Sequence, residues 1–141
     1  WPGSPVVLDA ADTPPQAKRA AFRAADAALA ASGTVSLELA AAGTPMVIAY
    51  RMNPLSQAVI SRLLRVDTVT LVNLVSKTRA VPEFIGAGCQ PGAIAPALSQ
   101  LLPDGPARRA QLAAMAVTMD RLGRGGEAPG LRAARSILSV L

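Results

Sequence analysis

The stretch with the most chemical content is Ala31-Ser32-Gly33-Thr34-Val35-Ser36-Leu37-Glu38. It places a glycine turn where a buried strand would hand over to a helix. Ser or Thr can cap such a helix, and Gly33 permits a tighter turn than alanine would. The N–H groups of Gly33, Thr34 and Val35 would then point outward with the positive end of the helix dipole, an arrangement that binds anions. The Ser32 and Thr34 hydroxyls could add hydrogen bonds to a diphosphate. Glu38 lies one turn on, on the side of Thr34, where its carboxylate could accept hydrogen bonds from ribose hydroxyls. The plainer reading makes Ser32 an ordinary N-cap and Glu38 a solvated helix residue.

The elements around this turn must be α/β if it is to work as such a site. Pro5 to Leu8 is a short apolar run that reads as a strand, and the Ala-rich stretch Pro15 to Ala25, with two prolines near its start, reads as a helix. From Asp26 to Ala31 the alanines are ambiguous, since propensity alone would carry one long helix through to Ala42. Ser32-Gly33-Thr34 breaks that run, giving a helix from about Val35 to Ala42 that ends at Gly43 as a left-handed cap. Pro45 to Tyr50 is almost uninterruptedly apolar with β-branched members, as a strand buried on both faces of a parallel sheet requires.

Further on, Leu55, Val59, Ile60, Leu63 and Leu64 recur at helical spacing, so Pro54 to Arg65 reads as an amphipathic helix. Val69 to Leu74 reads as a short β-rich run. Ser76 to Pro91, with Gly86 and Gly88, reads as a loop or short-helix region. Three helices complete the chain, Gly92 to Leu102, Ala107 to Leu122 and Leu131 to Leu141. Leu112, Met115, Met119 and Leu122 form a stripe on the middle one. Leu131, Ala134, Leu138 and Leu141 form a stripe on the last, which could cover this domain or dock onto another subunit.

Composition limits the function classes. The chain has 141 residues, 51% of them hydrophobic, enough for one core, and no apolar stretch approaches the roughly 20 residues of a membrane-spanning helix. A single cysteine, Cys89, excludes an internal disulfide framework, and with no histidine a zinc site is out of reach. The net charge of +5 favours anionic partners. Scattered arginines and only 3% aromatics argue against nucleic acid. Neither a Walker-type Gly-Lys-Ser/Thr nor a Gly-x-Gly-x-x-Gly motif is present. Trp1 is not an initiator methionine, and the chain reads as a piece of something longer.

The ordered series Ala31-Ser32-Gly33-Thr34, Leu37-Glu38, Gly43-Thr44-Pro45-Met46-Val47, Tyr50-Arg51, Leu71-Val72-Asn73-Leu74 and Val81-Pro82-Glu83-Phe84 resembles lipid-A-disaccharide synthase, from about Val6 to Leu141. The resemblance implies a GT-B glycosyltransferase built of two Rossmann-like halves, of which this chain resembles the C-terminal, donor-binding half. Residues 1–102 would be the UDP-sugar-binding domain, a Rossmann-like parallel sheet flanked by helices. Residues 103–141 would be helices packing on it or on a partner subunit. The implied reaction moves 2,3-diacylglucosamine from its UDP-linked form onto 2,3-diacylglucosamine 1-phosphate. It releases UDP, needs neither metal nor cofactor, and takes place at the inner face of the inner membrane of a Gram-negative bacterium.

Carried over by position, Ser32, Gly33 and Thr34 would hold the diphosphate and Glu38 would sit near the ribose. Arg51, Asn73 and Glu83 would line the donor side of the cleft. Arg51 could neutralise charge as UDP leaves, or be a surface guanidinium. Asn73 could read uracil or sugar, or tie down a loop. Glu83 could hydrogen-bond the donor, or be a first-turn helix acid. Val72 stands where many relatives of that family carry proline. The N-terminal half, which would supply acceptor binding and the general base, is missing from this sequence, so the piece would be inactive alone. The partners implied are that N-terminal half, the UDP-linked donor and lipid-phosphate acceptor, an anionic membrane surface, and a second copy through the C-terminal helices. The competing reading is a stand-alone nucleotide- or anion-binding module without catalysis.

Overall fold

The computed structural model describes residues 3–9, 11–31, 33–51 and 68–139. Three short parallel strands, β1 (Ala28–Ala30), β2 (Met46–Tyr50) and β3 (Glu83–Ile85), form a sheet in that order. Around it lie helices α1 (Pro15–Ala24), α2 (Val35–Ala42), α3 (Leu71–Ser76), α4 (Pro91–Ser99), α5 (Pro106–Arg121) and α6 (Pro129–Leu138), with a 3₁₀ turn at Gly86–Gly88. The result is the expected Rossmann-like α/β arrangement of a parallel sheet flanked by helices.

β2 is the central strand. Its register sets Ala28 opposite Met46 on one side and Ile48 opposite Glu83 on the other. Met46, Val47 and Ile48 are fully buried, which accounts for a run without polar alternation. Leu39 and Ala40 of α2, Val72 of α3, and Ala114, Met115 and Met119 of α5 pack with Met46 and Ile48 in one core. The Met115 and Met119 stripe read from sequence therefore faces inward, while Leu122 at its end stays 39% exposed.

The Ala28-Leu29-Ala30 strand overrides its own helix propensity because it gains a full parallel pairing with β2. α2 then runs to Gly43, whose φ of 74° is the left-handed cap expected there. The end of α1 is tied to the same corner by the Thr44 hydroxyl, which donates to the Phe22 carbonyl.

Three expectations need correction. Pro5 to Leu8 is not a strand: no described segment pairs with it, and Val6 and Val7 lie exposed. Val69 to Leu74 is not a β run, because the helix α3 starts at Leu71. The loop expected from Ser76 to Pro91 contains β3. Of the stripe expected on the last helix, Leu131 and Leu138 are more than half exposed among the described residues, as is Ile137 beside them. The ends of α4, α5 and α6 fall within a few residues of those expected. The helix expected over Pro54 to Arg65 lies outside the described residues.

Gln111 of α5 completes the sheet in a way no propensity would show. The Met46 amide and carbonyl point to the β3 side, but β3 pairs only from Ile48 onward. The buried Gln111 side chain occupies the gap. Its oxygen accepts from the Met46 N–H at 2.7 Å and its amide donates to the Met46 carbonyl at 2.9 Å. A buried backbone pair that would otherwise be orphaned is thereby satisfied.

Candidate functional site

The carboxyl ends of β1 and β2 open on the same edge of the sheet, because the strands are parallel and in register. β1 ends at Ala30 and the chain turns through Gly33 and Thr34 into α2; β2 ends at Tyr50 and delivers Arg51. The glycine turn and Arg51 therefore share the edge at which open α/β sheets bind ligands.

Gly33 has a φ of 140° with no other group near enough to contact an added Cβ, so the requirement for glycine is conformational rather than steric. Thr34 is the N-cap but makes no side-chain capping bond. The Ser36 hydroxyl and amide both turn back to the Gly33 carbonyl, at 2.9 and 3.3 Å. The amides of Leu37 and Glu38 are taken by the Thr34 carbonyl. The N–H groups of Thr34 and Val35 have no partner among the described residues. This is the open helix end that the sequence led one to expect, with the dipole behind it. Ser32 lies outside the described residues.

The remaining site residues divide. Arg51 is exposed and, among the described residues, free of any ion pair or hydrogen bond. Glu38 is on the first turn of α2 but leans toward α1, where Lys18 holds its carboxylate at 2.7 Å, both groups being nearly half exposed. Lys18 also lies 5.5 Å above the Phe22 ring, a local partner that the sequence reading did not name.

Asn73 and Glu83 are engaged with the fold. Asn73 is fully buried; its amide donates to the Val81 carbonyl at 2.8 Å and its oxygen accepts from the Val81 N–H at 3.0 Å. Of the two roles open to it, the loop tie is the one this geometry makes. Glu83 is the first residue of β3 rather than a first-turn helix acid. One of its carboxylate oxygens accepts from the Thr68 hydroxyl at 2.7 Å, the Val69 N–H at 3.1 Å and the Thr70 N–H at 2.6 Å. Thr70 is the N-cap of α3, so Glu83 caps that helix from a neighbouring strand and favours its dipole. Glu83 thus ties the start of α3 to β3, and Asn73 ties its middle to Val81, two residues before that strand.

Gln111 and Lys18 went unnoticed in the sequence. The signal for Gln111 was available: an amide on the helical face of Ala114, Met115 and Thr118 has to find partners.

A parallel sheet with a glycine turn leading into a helix at its carboxyl edge defines a Rossmann-like α/β unit. The family model described as lipid-A-disaccharide synthetase matches residues 11–126. Lipid-A-disaccharide synthase of Ruegeria pomeroyi is 61% identical over the whole chain, and that of Nitrobacter winogradskyi 43%. The synthase of Rhodopseudomonas palustris is 50% identical over 89% of the chain. The chain belongs to the lipid-A-disaccharide synthase family. It spans 35% of the length of the first two relatives and 32% of the third.

Proposed function

We propose that this chain is the donor-binding part of a GT-B glycosyltransferase of lipid A biosynthesis. The enzyme transfers 2,3-diacylglucosamine from its UDP-linked form to 2,3-diacylglucosamine 1-phosphate and releases UDP. The single observation that carries the reading is the open turn: the unpartnered N–H groups of Thr34 and Val35 at the carboxyl edge of the sheet, with Arg51 on the same edge. A diphosphate placed there would accept from the two amides and from the Ser32 and Thr34 hydroxyls, and the guanidinium of Arg51 would offset charge as the UDP leaving group forms.

Glu38 reaches the ribose in this reading by exchanging its Lys18 partner for sugar hydroxyls, at little cost because the pair is exposed. Asn73 and Glu83 act as positioning residues that hold α3 and β3. Acceptor binding and the general base come from the part of the enzyme beyond this chain, which is therefore inactive by itself. No helix among the described residues is long and apolar enough to cross a membrane, and we assign the protein a peripheral place at the inner membrane's cytoplasmic face. The exposed Leu131, Ile137 and Leu138 of α6 support a contact with a second subunit.

The test is glycosyl transfer by the intact enzyme carrying Gly33→Asp, which sets a carboxylate against the diphosphate. Transfer is expected to fall at least a hundredfold, the scale on which oxyanion donors act. Activity within threefold of the unaltered enzyme would remove the turn from the site.

A further inference from the structure

Helices α1 and α2 start side by side. α2 runs from Val35, just after the glycine turn, to Ala42 and its cap Gly43. The hydroxyl of the next residue, Thr44, holds the Phe22 carbonyl near the end of α1. At the other end, Lys18 on the first turn of α1 meets Glu38 on the first turn of α2 at 2.7 Å. The two helices are therefore joined start to start and end to end, and the first turns of both lie toward the sheet edge that carries Gly33 and Arg51.

Lys18 is badly placed for its own helix. A cation on a first turn opposes the dipole, and α1 has no acidic residue there to offset it. Its charge is met instead from the neighbouring helix by Glu38, and its ammonium lies 5.5 Å over the ring of Phe22, which packs against the core. The ion pair is nearly half exposed and borders an open groove of about 530 Å³, so the lysine can turn away from Glu38 at little cost. Thr34, whose N–H is unpartnered among the described residues, precedes Glu38 by one helical turn. Such neighbours stand roughly 5–6 Å apart at Cβ, a short swing for a lysine.

We propose that Lys18 is a further donor-binding residue, one that changes partner when the nucleotide binds. In this structure its ammonium holds Glu38. When a nucleoside diphosphate takes Glu38 by its ribose hydroxyls, the freed ammonium turns to the diphosphate at Thr34 and Val35. The exchange trades an exposed ion pair for one with a more highly charged anion. The inference rests on the donor-site reading above and adds to it a second cation beside Arg51.

The test is calorimetric titration of the intact enzyme with UDP and with uridine, which offers the ribose but no phosphate. Lys18→Met is expected to weaken UDP about tenfold, the loss of a charge-assisted contact being offset in part by an ion pair that no longer has to be broken. The same variant should bind uridine up to about fivefold more tightly, because Glu38 is already free. Lys18→Arg, which keeps the charge, should recover most of the UDP affinity. A lysine that merely supported α1 would lower both affinities together. That result, or an unchanged UDP affinity in Lys18→Met, overturns the proposal, and the donor site itself stands as long as Gly33→Asp abolishes UDP binding. If Gly33→Asp leaves UDP binding intact, the donor-site reading falls and this inference with it.

Discussion

Replacing Asn73 by alanine separates the two roles that its sequence position left open. The side chain is fully buried and its amide satisfies both backbone groups of Val81, itself only 2% exposed. Alanine strands a buried N–H and a buried C=O, each costing about 1–3 kcal/mol, and leaves a small cavity besides. We expect a loss of about 3 kcal/mol. For a chain of this length that lowers the unfolding midpoint by roughly 10 °C. Circular dichroism melts of the two proteins measure it, with Leu74→Ala on the exposed side of the same helix as a comparison expected to lose less than about 1 kcal/mol. If Asn73→Ala cost under about 1 kcal/mol while UDP affinity collapsed, the loop-tie reasoning would be refuted and the residue would belong to the donor site.

Three other perturbations follow from the same geometry. Gln111→Leu keeps much of the side-chain volume but orphans the Met46 amide and carbonyl; a loss of about 2–4 kcal/mol in urea unfolding is expected. Glu83→Ala removes an acceptor of three hydrogen bonds at the start of α3. Amide exchange of Leu71 to Ser76 should accelerate at least tenfold, as loss of about 2 kcal/mol of local stability implies. Gly33→Ala meets no atom within contact distance yet must adopt a φ of 140°; thermal unfolding should show a cost of about 1–3 kcal/mol from the backbone alone.

Much of this was legible in the sequence where local chemistry and tertiary demand agree. Pro45 to Tyr50 carries the apolar, β-branched pattern of a buried parallel strand, and the Ser32-Gly33-Thr34 break with Gly43 beyond it delimits α2. What escaped depended on distant partners. The Val69 to Leu74 run has β-branched residues, but a carboxylate thirteen residues later caps Thr70 and turns the segment helical. β3 was hidden among turn residues because its three positions owe their strand conformation to pairing with Ile48 to Tyr50. Pro5 to Leu8 shows the converse, a run with strand composition and no pairing partner among the described residues. Within the candidate site the turn and Arg51 were readable from position, whereas the engagement of Glu38 by Lys18, and of Asn73 by Val81, needed three dimensions.

The central claim is that the turn after β1 holds a diphosphate. It is tested most directly by titrating UDP into the isotope-labelled chain and following backbone amide resonances. The account predicts saturable shifts largest at Gly33, Thr34 and Val35, abolished by Gly33→Asp. Shifts concentrated elsewhere, or none at millimolar UDP, would contradict it.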